Sequence, residues 1–183
     1  MSKKTDPSGI IKFWFEEIDS ALWWKKDLDF DALIAIRFSD VYQQACVGEL
    51  FSWRITAEGR LAEIIILDQF SRNIFRDKKE AFAQDSLALV LAQEAINIGA
   101  AKQLTQVQRS VLYLPFMHSE SMLIHQQAEM LYADNGLQAS VEFELKHKQI
   151  IEQFGRYPHR NQLLNRHSTQ HEIEFLTLPN SSF

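Results

Sequence analysis

Helix-length apolar periodicity, broken at very few points, is the feature that most limits what this chain can fold into. Six glycines and four prolines punctuate 183 residues. Between them apolar residues return at spacings of three and four rather than two. The first such segment runs from about Pro7 to Ile18, behind "DPSG". A second, about Phe30 to Val47, places Leu33, Ile34, Arg37, Phe38, Val41, Tyr42 and Ala45 at helical spacing, with Asp29 or Asp31 as its cap. A third covers about Ala57 to Phe75. A fourth, about Asp85 to Ile98, carries Leu87, Val90, Leu91, Glu94 and Ile98, with Gly99 as its stop. "TQVQRSVLYLPFMHSE" holds a fifth that ends or kinks near Pro115. The sixth spans about Glu120 to Tyr132, and the seventh about Gln138 to Phe154 before Gly155. A short last helix covers about Thr169 to Leu176, with Ser168 or Thr169 as cap and Glu172 as capping-box partner. No stretch alternates with period two for long enough to require a sheet. The expectation is therefore a single all-α domain over 1–183, built of antiparallel helix hairpins, with 1–8 and 178–183 irregular.

Composition narrows the function classes. Hydrophobic residues make up 46% and charged residues 23%, ordinary for a globular domain able to bury its own core. A net charge of -5 gives no general electrostatic reason for nucleic acid or an anionic membrane as partner. No window reaches the ~18 apolar residues of a membrane span. The start "MSKKTDPSG" has no apolar signal region. Cys46 is the one cysteine, so no internal disulfide forms, and it reads as a small core residue in a reducing compartment. The expected location is cytoplasmic. Walker A, GxGxxG and GxSxG patterns are absent, which disfavours P-loop, dinucleotide and α/β-hydrolase chemistry, and no cofactor is expected.

Three segments carry polar residues where a core is expected. In "GRLAEIIILDQFSRNIFR" the apolar face of Leu61, Ile64 and Ile65 runs on into Asp68 and Arg72. Asp68, Arg72 and Arg76 stand at i, i+4 and i+8, and Gln69, Asn73 and Arg76 at i, i+4 and i+7, so an Asp68–Arg72 pair within the helix is expected. A helix end emerging into solvent would look similar, but a carboxylate continuing a core stripe must be paired or hydrated in a pocket. In "YLPFMHSESMLIHQQ", His118 and Glu120 suit a general base and its orienter, or metal ligands. His118, Ser121 or Met122, and His125 face one way if the helix begins early enough. The plainer alternative has Ser119 capping that helix and Glu120 complementing its dipole. "FGRYPHRN" presents Arg156, Tyr157, His159, Arg160 and Asn161 on a short stiff loop, which suits an anion or the capping of helix C-termini. His147 lies on a core-facing stripe with Phe143, Ile150, Ile151 and Phe154 and reads as a satisfied core histidine. His167 and His171, an i,i+4 pair without further ligands, read as a solvated turn rather than a zinc site.

The order of "LDQFSRNIFR", "LYLPFMHSE" and "FGRYPHRN", with the upstream "FWF" and "WWKKDLDFD", resembles domain-of-unknown-function family 924, a largely bacterial family. The resemblance covers about Ile10 to Leu176. It implies an all-helical, tetratricopeptide-repeat-like array, and no reaction. Family motifs match at Asp68, Gln69, Arg72, Asn73, Phe75 and Arg76. They match again at Pro115, His118, Ser119 and Glu120, and at His147, Gly155, Arg156, Pro158, His159, Arg160 and Asn161. Trp14, Trp23, Asp27, Asp31 and Trp53 match as core and packing positions. Asn165 departs from the pattern, standing where the family tends to have glycine, and His167 and His171 depart as well.

The expectation drawn from these segments is one shared polar pocket that binds a small anionic ligand, with hydrolytic chemistry as an extension. Arg72, Arg76 and Arg160, with Gln69, Asn73 and Asn161, would hold the anion. His118 or His159 would act as acid or base, oriented by Glu120 or Asp68. The competing expectation is a helical scaffold for a protein or peptide partner, in which the polar cluster only locks helix packing. A metal site from His118, Glu120 and His159 is the third.

Overall fold

The computed structural model describes residues 6–179 and 181, and among these it is helical with no strand. α1 (Pro7–Lys12) opens with Pro7 in its first turn and the Asp6 carboxylate accepting from Gly9 N at 2.8 Å. Pro7 and Ser8 are thus helical, a correction to the irregular stretch expected over 1–8. Residues 1–5, 180, 182 and 183 lie outside the described residues. α1 continues through one wide π-helical turn, Phe13–Glu17, that buries Phe13 and Trp14.

α2 (Leu28–Cys46) is capped by Asp27, whose carboxylate accepts from Phe30 N at 3.1 Å. Asp29 and Asp31 lie inside its first turn instead, past the capping position. α3 (Ala57–Ile65) runs through the middle of the molecule and packs on α1, on α5 (Asp85–Asn97) and on α6 (Gln106–Leu112). The core they enclose includes Ile10, Ile34, Phe38, Leu61, Ile65 and Phe70. The face of α5 is rotated from the expected one. Val90 and Ile98 are exposed, while Ala88, Leu91, Ala92 and Ala95 are buried. Three alanines and Leu91 thus face the core where α5 packs on α3, and Val90 and Ile98 are left outside.

A break at Tyr113 separates α6 from the single turn α7 (Leu114–Met117), with Pro115 in its first positions, near the kink expected there. α8 (Met122–Asn135) and α9 (Gln138–Phe154) form a hairpin closed by Gly136 at φ 75°. Gly155 stops α9 at φ 68°. α10 (Gln170–Leu176) carries the expected capping box between Thr169 and Glu172. Ile150, Ile151 and Tyr157 form a second small core with Met122, Phe154 and Phe175, and this core carries the loop that bears Arg160.

Candidate functional site

The polar motif begins where the register of α3 changes. The α-helical ladder gives way to a π-helical turn over Ile66–Phe70, and α4 (Ser71–Ile74) resumes it. Such wide turns are uncommon inside helices and recur at functional sites. Asp68 and Gln69 both lie in this turn and are buried.

Asp68 and His118 form a dyad across the interior, His118 Nδ1 lying 2.8 Å from Asp68 Oδ1. Burial alone would raise the Asp68 carboxyl. Arg72, His118 and a hydrogen bond donated by Gln69 Nε2 outweigh it and hold the group below the ordinary carboxylate range. An ionised carboxylate only accepts, so the proton of the neutral imidazole sits on Nδ1 and Nε2 presents a lone pair. Burial, then the Arg72 charge, lowers the pKa of His118 and keeps it neutral near pH 7. Nε2 makes no hydrogen bond among the described residues. This is the arrangement of an oriented general base.

Two guanidiniums stand beside it. Arg72 Nη1 is 3.3 Å from Asp68 Oδ1, so the expected helical pair forms, and Arg72 also reaches Asp85 at 3.1 Å. Arg160 Nη1 donates to the same Asp85 carboxylate at 3.1 Å. Its guanidinium lies 4.6 Å from the ring centroids of both Phe82 and Tyr157. Asp85 thus bridges Arg72 and Arg160. Arg160 Nε is buried without a hydrogen-bond partner. Asp68, Arg72, His118 and Arg160 are therefore brought together, with Asp85 and Phe82 completing the cluster.

Other expected site residues point elsewhere. The helix ends at Ile74, so Arg76 leaves the face of Asp68 and Arg72 and pairs with Asp31, to which Asn73 Nδ2 also donates at 2.8 Å. Arg76 and Asn73 fasten α4 to α2. Glu120 accepts from Arg166 Nη1 at 2.6 Å, from Arg166 Nη2 at 2.9 Å and from Tyr157 N at 2.7 Å. Burial would raise its carboxyl, but Arg166 and the Tyr157 N–H more than offset this and keep it ionised. Glu120 therefore ties two loops together rather than orienting His118. Asn161 donates to Ser168 Oγ at 3.0 Å. His159 lies over Tyr157 with centroids 5.6 Å apart, and burial, then Arg160, lowers its pKa to about 3.

α8 begins only at Met122, so His118 is outside it, and His125 turns into the interior. His147 is buried and its Nδ1 donates to Phe143 O at 2.7 Å, as expected of a satisfied core histidine. Among the described residues no group of three metal-ligating side chains converges, and Glu120 is paired with Arg166. His167 lies ahead of α10 rather than on it, so it shares no helix face with His171. A surface depression of about 360 Å³ lies between Gln153, Arg156, His171 and Glu172, and one of about 260 Å³ near Lys102, Arg109 and Tyr113. Neither is lined by the Asp68 cluster.

Reading the sequence missed Asp85, Phe82 and Arg166. Asp85 reads as an ordinary acidic residue of a helix first turn, and its partner Arg160 is 75 positions away. No local pattern joins them.

The model of the family "bacterial protein of unknown function (DUF924)" matches residues 10–180. The chain is similar to the solved structure of a protein of unknown function from Agrobacterium tumefaciens. The TM-score is 0.88 at 36% identity, over 93% of this chain and 96% of that one. No curated protein matches the chain.

Proposed function

Because the chain belongs to DUF924, a bacterial family of unknown function, membership brings no reaction with it, and we propose from the site itself that it binds a small anionic ligand at Asp68, Arg72, Asp85, His118 and Arg160. The observation that carries this reading is the Asp68–His118 bond at 2.8 Å beside two guanidiniums. Phosphate and carboxylate groups both suit paired guanidiniums. The hydrolytic extension uses the same geometry. His118 Nε2 takes a proton from an attacking water, Asp68 stabilises the imidazolium, Arg72 and Arg160 carry the negative charge, and the proton passes to the leaving oxygen.

Titration calorimetry with phosphate and with citrate at fixed ionic strength tests the binding. A saturable heat is expected for wild type, weakened at least about tenfold in Arg160→Met, the loss of one charge-assisted hydrogen bond. No saturable heat with either anion would sink the reading. For the hydrolytic extension, p-nitrophenyl phosphate turnover should fall by roughly 10²–10⁴ in His118→Ala.

A scaffold reading has its own support. Leu28, Ile36, Val47, Phe51 and Ile55, on α2 and the turns after it, are each 69–88% exposed. Large exposed apolar side chains suit a protein or peptide partner, and an array of tetratricopeptide-like hairpins would present them. In that case the polar cluster serves packing alone, and anion titrations are silent.

A further inference from the structure

His118 is held from behind by side chains that no ligand could reach. α7 ends at Met117, so the carbonyls on either side of His118 belong to a helix terminus and need outside donors. Tyr157 Oη donates to Met117 O, and His125 Nε2 donates to Ser119 O at 2.9 Å. The two donors also meet, His125 Nε2 lying 3.2 Å from Tyr157 Oη. His125 Nδ1 lies 2.7 Å from Glu144 Oε1. One residue further on, Tyr157 N donates to Glu120 at 2.7 Å. Positions 117, 119 and 120 are thus all fixed by Tyr157 and His125, through two side chains and one backbone N–H.

The proton positions follow from the acceptors. A carbonyl oxygen only accepts, so the Tyr157 hydroxyl hydrogen points at Met117 and the Nε2 hydrogen of His125 at Ser119. Nδ1 of His125 is left to Glu144, and the pair holds one further proton between them. Burial raises the Glu144 carboxyl, in keeping with a shared proton. Glu144 and His125 are both 0% exposed, and Glu144 Oε2 is buried with no hydrogen-bond partner. A carboxyl kept at such cost in a core calls for a task. Capping alone needs any donor at each carbonyl. Here two linked donors bracket the one residue whose ring forms the dyad with Asp68.

We propose that Tyr157, His125 and Glu144 are positioning residues that hold the His118 ring in line with Asp68. The proposal rests on the reading of His118 as the base, and its test looks at the ring itself, without ligand or substrate. In protein labelled with ¹⁵N in its histidine rings, long-range correlation spectra report which nitrogen carries the proton, with His118→Gln supplying the assignment. Wild type should show His118 as a single tautomer protonated on Nδ1. Tyr157→Phe and Glu144→Leu, each checked for folding by circular dichroism, should lose that single-tautomer signature. Glu144→Gln should keep it, because its amide can still donate to His125 Nδ1. If Glu144→Leu does not fold, Tyr157→Phe, which removes one oxygen and little packing, decides the matter alone. A wild-type pattern in folded Tyr157→Phe overturns the positioning role and leaves the dyad standing. A mixture of tautomers already in wild type overturns both.

Discussion

Asn165 adopts a φ of 53°, a conformation that costs most L-residues about 1–2 kcal/mol and that asparagine tolerates best after glycine. It is also the position where the family resemblance leads one to expect glycine, the residue that this backbone conformation suits best. Asn165→Ala should lower stability by about 1–2 kcal/mol in urea melts, and Asn165→Gly should change it by less than about 0.5 kcal/mol. At Asp68 the prediction is electrostatic. The Asp68 charge raises the His118 pKa against burial and Arg72. Asp68→Asn should therefore move it further down, read by a ring-resonance titration, and an upward move would mean the dyad is not formed. At this scale the sequence was informative where a polar residue interrupted an apolar stripe, as at Asp68, and silent where partners are distant. Arg160 was legible as an anion-binding type of side chain. That Asp85 already occupies its guanidinium was not, because hydrogen-bonding pairs 75 residues apart leave no periodic trace.

Helices were read well as elements and less well as faces. α9 (Gln138–Phe154) has the ends expected from its stripe and from Gly155. Its buried face nevertheless includes Glu144 and leaves Phe143 42% exposed, because the pairing of Glu144 with His125 fixes the rotation. The π-helical turn at Ile66–Phe70 was not legible at all, since a change from i+4 to i+5 bonding has no residue signature of its own. Gly59, in α3, gives the element-scale prediction. A Cβ there would stand 1.9 Å from Trp53 O, a backbone atom that cannot rotate away. In an unconstrained helix glycine to alanine gains about 1 kcal/mol. Here the sign reverses, and Gly59→Ala should destabilise by about 1–3 kcal/mol or more, measured by thermal or urea unfolding. A stabilised variant would contradict the close packing of α3 on the Phe51–Ile55 turn.

Across the whole molecule, buried neutral histidines set the response to acid. Burial lowers His147 and His159 to about 3 each, and lowers His118 as well. The unfolded chain takes up protons on these rings below about pH 6.5 while the fold does not, so stability falls as pH falls. The contribution is complete above about 6.5 and is lost as pH drops toward about 3, at up to about 1.4 kcal/mol per pH unit for each ring. Melting temperatures should thus decline steadily below about pH 6.5, and a flat profile down to pH 4 would show these rings to be hydrated. The central claim is that Asp68, Arg72, His118 and Arg160 form an anion site rather than a packing lock. The most direct measurement is a phosphate titration followed by ¹H–¹⁵N spectra of the backbone, the histidine rings and the arginine side chains at constant ionic strength. Saturable shifts confined to His118, Arg72, Arg160 and the neighbouring backbone of Ile66–Phe70 are predicted. Spectra in which those signals stay still at saturating phosphate and citrate would contradict it.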